Sequence, residues 1–195
     1  MPKVVPEYKE KARERIVEAA QKVFSAKGYH NTRMEDIAEE VGVSKRTLYI
    51  YYENKEELFK AMCAEAPKAV SEMLQSCLTS KDFRQSCADF FNLTADQPPS
   101  GLEFEVIAAA SRSPALRKIE KDLSEAEIDV ISKFLQDLKK QGVLSKSFDA
   151  PRGARIMLAV HRGLMADLVL GAKKSEVVQA WVQAMDLIMR TDARK

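Results

Sequence analysis

Gly42-Val43-Ser44-Lys45-Arg46-Thr47-Leu48-Tyr49-Ile50-Tyr51-Tyr52-Glu53-Asn54-Lys55-Glu56-Glu57-Leu58 is the stretch of this 195-residue chain that decides its fold. It opens on a glycine, where a tight turn needs φ > 0. Ser44 and Asn54 each stand before helix-forming residues and read as N-caps. Four residues upstream of the glycine, Ala38 is small enough for one helix to pack closely on the next. Ile37, Val41, Val43 and Leu48 supply a small shared core. Together these residues predict two short helices joined by a tight turn, a helix-turn-helix. The second helix, Ser44 to Tyr52, turns Lys45, Arg46, Thr47, Tyr49 and Tyr51 outward and holds no acidic residue. The preceding helix carries Glu35, Asp36, Glu39 and Glu40. DNA binding requires this kind of sorting, with negative charge turned from phosphate. A helix of this kind fits the major groove, where Lys and Arg read guanine edges and Thr meets thymine methyl groups. Ala38, Gly42 and Leu48 alone would equally suit an ordinary helical bundle.

The same helical spacing extends in both directions. Ile16, Ala19, Ala20, Val23 and Phe24 form a stripe that Gly28 ends. Thr32 with Glu35 reads as a capping box opening the next helix. After Asn54, one helix carries Leu58, Met62, Ala66, Val70, Met73, Leu74 and Cys77, and Pro67 should kink or split it. Further helices are expected over about 82–94, 103–110 and from about 116 to 140. The last two start at Asp149, with Pro151 behind it, and near Ser175. The clearest loop is 96–101, which contains Pro98 and Pro99. Gly and Pro number seven each, fewer than average composition gives, so the elements are long and helical.

Charge is nearly balanced, with 31 Lys and Arg against 29 Asp and Glu. That excludes a generally basic nucleic-acid coat. Residues 1–60 are balanced too, with 12 basic and 11 acidic side chains, so the signal lies in position. The charged N-terminus has no apolar segment of a secretory signal, and no run of apolar residues suffices for a membrane span. Cys63, Cys77 and Cys87 form no CxxC pair, which suits a reducing, cytoplasmic setting. A redox switch between Cys63 and Cys77 is the alternative to plain buried thiols. No His, Cys and carboxylate cluster has metal-ligand spacing, so neither metal nor cofactor is expected. A Gly-rich phosphate loop, a nucleophile motif and a paired-carboxylate arrangement are all missing, so an enzyme is not expected.

The quoted stretch resembles the DNA-binding signature of the tetracycline-repressor (TetR) family, roughly G-V-S-x-G-T-L-Y-x-[HY]-F-x-[NS]-K-E-x-L. Ala19, Phe24, Gly28, Thr32, Ile37 and Ala38 sit at similar spacing upstream. The strong match covers about residues 10–60. Beyond it, helix lengths, overall size and a Gly163-Leu164 pair are family-like. Arg46 stands where the family commonly has Gly, which adds a candidate base or phosphate contact. The resemblance implies an all-α fold, with an N-terminal three-helix DNA-binding domain (1–56) and a C-terminal helical effector-binding and dimerisation domain (57–195). It implies phosphate contacts by Thr32, Arg33 and Ser44 at helix starts, by Lys55, and by the Tyr49 and Tyr51 hydroxyls. Tyr52 matches a core aromatic. Lys45, Arg46 and Thr47 are the candidates for base contact. Lys3, Lys9, Lys11 and Arg13 are either an arm near DNA or a solvated terminus.

The resemblance further implies a homodimer that binds double-stranded operator DNA and is released by a small-molecule effector. Candidates for the effector pocket are Phe83, Phe90, Phe91, Phe104, Met157, His161 and Met165, with core packing as the alternative for each. Candidates for the dimer interface are Ile156, Val160 and Leu164 on the penultimate helix and Trp181, Met185 and Ile188 on the last. One helix face cannot serve core and interface alike, so only some of these can be interfacial. Pro67 is either a hinge for effector-induced movement or a mere break. A helical interaction module that never touches DNA is the competing function.

Overall fold

Helix ends follow the capping residues closely. In the computed structural model, residues 6–77, 83–96 and 101–190 are described. They form ten helices: α1 (Pro6–Asn31), α2 (Met34–Val41), α3 (Lys45–Tyr51), α4 (Lys55–Cys63), α5 (Ala66–Cys77), α6 (Phe83–Ala95), α7 (Leu102–Ala110), α8 (Pro114–Lys140), α9 (Ala150–Val169) and α10 (Lys174–Arg190). No strand occurs among the described residues. The Pro98-Pro99 part of the expected loop and Lys3 of the expected arm lie outside them. Ser44 Oγ accepts from Thr47 N at 3.1 Å, Asn54 Oδ1 from Glu57 N at 2.8 Å, and Asp149 Oδ1 from Arg152 N at 3.0 Å. Each thereby satisfies an amide that the first helical turn leaves open.

Two sequence expectations shift. The capping box of α2 lies one residue later than Thr32 and Glu35. Arg33 is the N-cap, and its amide donates to Asp36 Oδ2 at 2.8 Å. Thr32 is buried, with its hydroxyl donating to Gly28 O at 2.6 Å. The helix expected through Pro67 is split: α4 stops at Cys63 and α5 starts at Ala66. Pro67 falls in the first turn of α5, where a missing N–H breaks no helical bond.

The chain divides into two compact units. The first comprises residues 1–65 and 100–120, and the second residues 66–99 and 121–195. The first unit therefore takes in α7 and the start of α8, residues distant in sequence from the quoted motif. Its core is Ile16, Ala20, Phe24, Tyr29, Ile37, Leu48, Leu58 and Phe59, closed by Leu102, Val106 and Leu116. The second unit packs α5, α6, the rest of α8, α9 and α10 around Phe91, Leu135, Ala154, Trp181 and Met185. Among the described residues, no helix is long and apolar enough to cross a membrane.

Candidate nucleic-acid interface

Gly42 holds the turn between α2 and α3 at φ 77° and ψ 35°, the left-handed region where a side chain would be strained. Its amide bonds Ala38 O at 3.1 Å and the Val43 amide bonds the same carbonyl at 3.0 Å. Leu48 then points fully inward and pins α3 to α1 and α2. Fixing Leu48 on the core leaves Lys45, Arg46, Tyr49 and Ile50 on the solvent side. Arg46 has no hydrogen-bond or ion-pair partner among the described residues. Lys45 lies 5.7 Å from the centre of the Tyr49 ring. The Thr47 hydroxyl is 2.8 Å from Ser44 Oγ, so both polar groups sit together at the start of the helix.

Lys45 also forms an ion pair with Glu35 of α2. The hydrogen bond from Lys45 holds the Glu35 carboxyl below its ordinary range, and Glu35 in turn raises the Lys45 ammonium. The acid expected to face away from phosphate thus touches the reading helix.

Three expected phosphate contacts are placed differently from one another. Arg33 is exposed at the start of α2. Thr32 is only 1% exposed, so its side chain is unavailable at the surface. Lys55 is half-buried, and its ammonium donates to Tyr29 O at 2.7 Å and Thr32 O at 3.0 Å. It also lies 4.3 Å above the Tyr29 ring. Burial lowers its pKa from the usual lysine value. Lys55 therefore fastens α4 to the end of α1 and the start of its link to α2. Tyr51 packs partly against the core, and Tyr52 is buried with the Arg13 guanidinium 5.9 Å from its ring centre.

Two residues escaped the sequence reading. Ile50 is 73% exposed, one helical turn from Arg46, and gives the outward face an apolar element. The signal was its place next to Tyr49, within the outward arc. Glu105 of α7 accepts from Tyr29 N at 2.9 Å and His30 N at 2.7 Å. No local pattern reveals a contact across more than seventy residues.

In the second unit, His161 sits among Phe90, Phe91 and Trp181, with ring centres 5.4–5.9 Å away. Its Nε2 is 3.0 Å from Thr94 Oγ1. Burial, reinforced by the Arg162 charge, lowers its pKa to about 4. Arg162 itself donates to Ser124 Oγ at 2.8 Å and Glu127 Oε2 at 3.1 Å. Met157 and Met165 pack in the same cluster, whereas Phe104 belongs to the first unit. The Phe83 side chain lies outside the described residues. Trp181 and Met185 are fully buried, and the indole donates to Cys87 O at 2.9 Å. They are core residues of one chain, which corrects their expected place at a dimer interface. Ile156 is 43% exposed, and Val160, Leu164 and Ile188 are half-buried beside it on the same two helices. No group of three His, Cys or carboxylate residues poised for a metal occurs among the described residues.

Residues 16–62 match the family model for bacterial regulatory proteins of the tetR family. The HTH-type transcriptional regulator YfiR of Bacillus subtilis (strain 168) is 24% identical over 97% of this chain and 96% of its own length. Among solved structures, GusR of Salmonella enterica is similar at a TM-score of 0.79 and 19% identity, covering 97% of this chain and 100% of its own. FadR of Bacillus subtilis, solved in complex with stearoyl-CoA, is similar at a TM-score of 0.69 and 18% identity, covering 90% of this chain and 97% of its own.

Proposed function

We propose that the chain is a DNA-binding transcriptional regulator of the tetR family of bacterial regulatory proteins, which its residues 16–62 match, and that it reads DNA and is controlled as follows. The observation that carries the reading is the face of α3. Leu48 is locked inward, and Lys45, Arg46, Tyr49 and Ile50 face solvent on a helix that lacks any acid. α3 enters the major groove. Lys45, Arg46 and Thr47 meet base edges, and Ile50 offers an apolar surface to thymine methyls. Arg33, Ser44, Tyr49 and Tyr51 fix the register on phosphates. Lys55 acts on DNA through the segment it holds, and Thr32 only through its backbone.

Two copies bind two half-sites about one helical turn or more apart. The dimer forms through α9 and α10, using Ile156, Val160, Leu164, Ile188 and the neighbouring exposed Leu187. The protein is a repressor released by a small molecule held in the second unit near Phe90, Phe91, Met157, His161 and Met165. The stearoyl-CoA complex of the similar FadR supports a small-molecule effector of this general kind.

The test is binding to a duplex selected by the wild-type protein from a random-sequence pool. Arg46→Ala is expected to cost about 1–3 kcal/mol on that duplex and to relax preference at one base pair. Its melting temperature should stay unchanged, because an exposed side chain without partners is lost. A wild type that selects no duplex, with no dependence of affinity on salt, would overturn the reading in favour of a protein-interaction module.

A further inference from the structure

Gly28 breaks the helical backbone inside α1, and the stretch from this kink to Arg33, which leads into α2, is gripped from two sides by groups of opposite charge. Lys55 takes its carbonyls, Tyr29 O and Thr32 O, while Glu105 takes its amides, Tyr29 N and His30 N. The Tyr29 residue is thus held at both its donor and its acceptor. Gly28 makes the close approach possible. Its backbone is at φ 77° and ψ 168°, a region open essentially to glycine alone, and a Cβ there would collide with the Glu105 carboxylate. Thr32 closes the segment by bonding back to Gly28 O. Immediately beyond it stand Arg33 and the first amides of α2.

We propose that Glu105 is a positioning residue for DNA binding: its carboxylate, by clasping the Tyr29 and His30 amides, sets the α1–α2 segment and with it the phosphate-facing start of α2. The inference rests on the DNA-binding reading above. The clasp comes from α7, which runs by way of residues 111–113 into α8, the helix whose residues 114–120 belong to this unit and 121–140 to the other. It therefore ties the DNA-binding helices to a part of the chain outside the DNA-binding motif.

Two physical effects of removing Glu105 have opposite signs. Loss of a negative charge from a DNA-binding unit should tighten binding by electrostatics alone. Loss of the clasp should weaken it, because the segment must then be ordered at the moment of binding. The experiment uses the full chain and the duplex selected by the wild type. Glu105→Ala, Glu105→Gln and Glu105→Asp are compared by duplex affinity, thermal unfolding and amide exchange at Tyr29 and His30. Gln keeps the length but has one acceptor oxygen and no charge; Asp keeps the charge but is too short to hold both amides.

The expected result is amide exchange at Tyr29 and His30 faster by about tenfold or more in Glu105→Ala. Duplex affinity should fall about tenfold, with the Gln and Asp variants in between. Measurements are made well below each melting temperature, so that folded protein is compared. Affinity that stays the same or improves in folded Glu105→Ala or Glu105→Gln, whatever the change in melting temperature, overturns the proposal. Full affinity in Asp, which is too short to hold both amides, would show that the two-amide clasp is not needed and overturn it equally. If the wild type selects no duplex, it is the DNA-binding reading that fails.

Discussion

Each unit is built on an aromatic centre, and the polar groups at those two centres differ in kind. In the first, Tyr29 stacks on Phe24 at 5.6 Å between ring centres and meets Phe59 edge-on at 5.3 Å. The groups that reach this centre are charged, the Lys55 ammonium and the Glu105 carboxylate, and both bond to backbone. In the second, Phe90, Phe91 and Trp181 pack against a half-buried histidine whose pKa is lowered, with a hydroxyl for a partner. Charged clasps hold a segment of chain that leads to an outer surface. A neutral pair suits a half-buried place against aromatic rings, where a charge would be costly. The first centre should therefore respond to loss of a bond, and the second to loss of volume or gain of a proton.

The largest effect is expected from volume. Trp181→Ala removes a fully buried indole and its bond to Cys87 O, which should destabilise the chain by about 3–5 kcal/mol. Urea unfolding measures this, and a loss below about 1 kcal/mol would mean that the cluster is not a packed core. The proton comes next. The His161 pKa is about 4 in the folded chain, against 6.5 when free, so the unfolded chain takes up the proton first. Stability is then full above pH 6.5 and falls as pH drops from 6.5 through 4, by up to about 3 kcal/mol. His161→Phe should flatten that part of the profile. Equal slopes for wild type and variant between pH 7 and 4.5 would show that the proton goes elsewhere.

Breaking a bond at the first centre should cost less. Lys55→Met keeps the aliphatic stem and removes the donor to Tyr29 O and Thr32 O. For a half-exposed ammonium with two such bonds, about 1–2 kcal/mol of stability is expected to go, read as a lower urea midpoint. Duplex affinity should drop as well, by a similar factor across all sequences. A variant with an unchanged midpoint but weakened affinity would instead mark Lys55 as a direct phosphate contact, as the motif implies.

The same contrast explains what was legible in the sequence. The helices, their N-caps at Ser44, Asn54 and Asp149, and the inward Leu48 follow from local rules, because caps and periodicity act within a few residues. The motif also marked the exposed residues of α3. It misjudged Thr32, because whether a helix start faces solvent depends on how the preceding helix ends, here on Gly28 and its packing under Glu105. Trp181 and Met185 looked interfacial because an apolar stripe on a helix does not say what covers it. In this chain α6 and α9 do, through Phe90, Phe91 and Met157. Glu105 left no trace, since an isolated carboxylate on a short helix is ordinary and its partners are backbone amides, which have no sequence identity.

The smallest effect separates electrostatics from architecture within the first unit. Glu35 and Lys45 form an exposed pair, and such pairs contribute little to folding. Glu35→Gln should therefore leave the melting temperature where it is. It should still change DNA binding, because the carboxylate holds the ammonium that is to meet a base edge. Freeing Lys45 and removing one negative charge should raise duplex affinity a few-fold at about 50 mM salt, and the gain should shrink at about 300 mM as counterions screen both charges. Affinity measured at the two salt concentrations decides the matter. A fall in affinity would instead mean that Glu35 aims Lys45 at its base, so that the acid on α2 belongs to the reading apparatus as Glu105 belongs to its support.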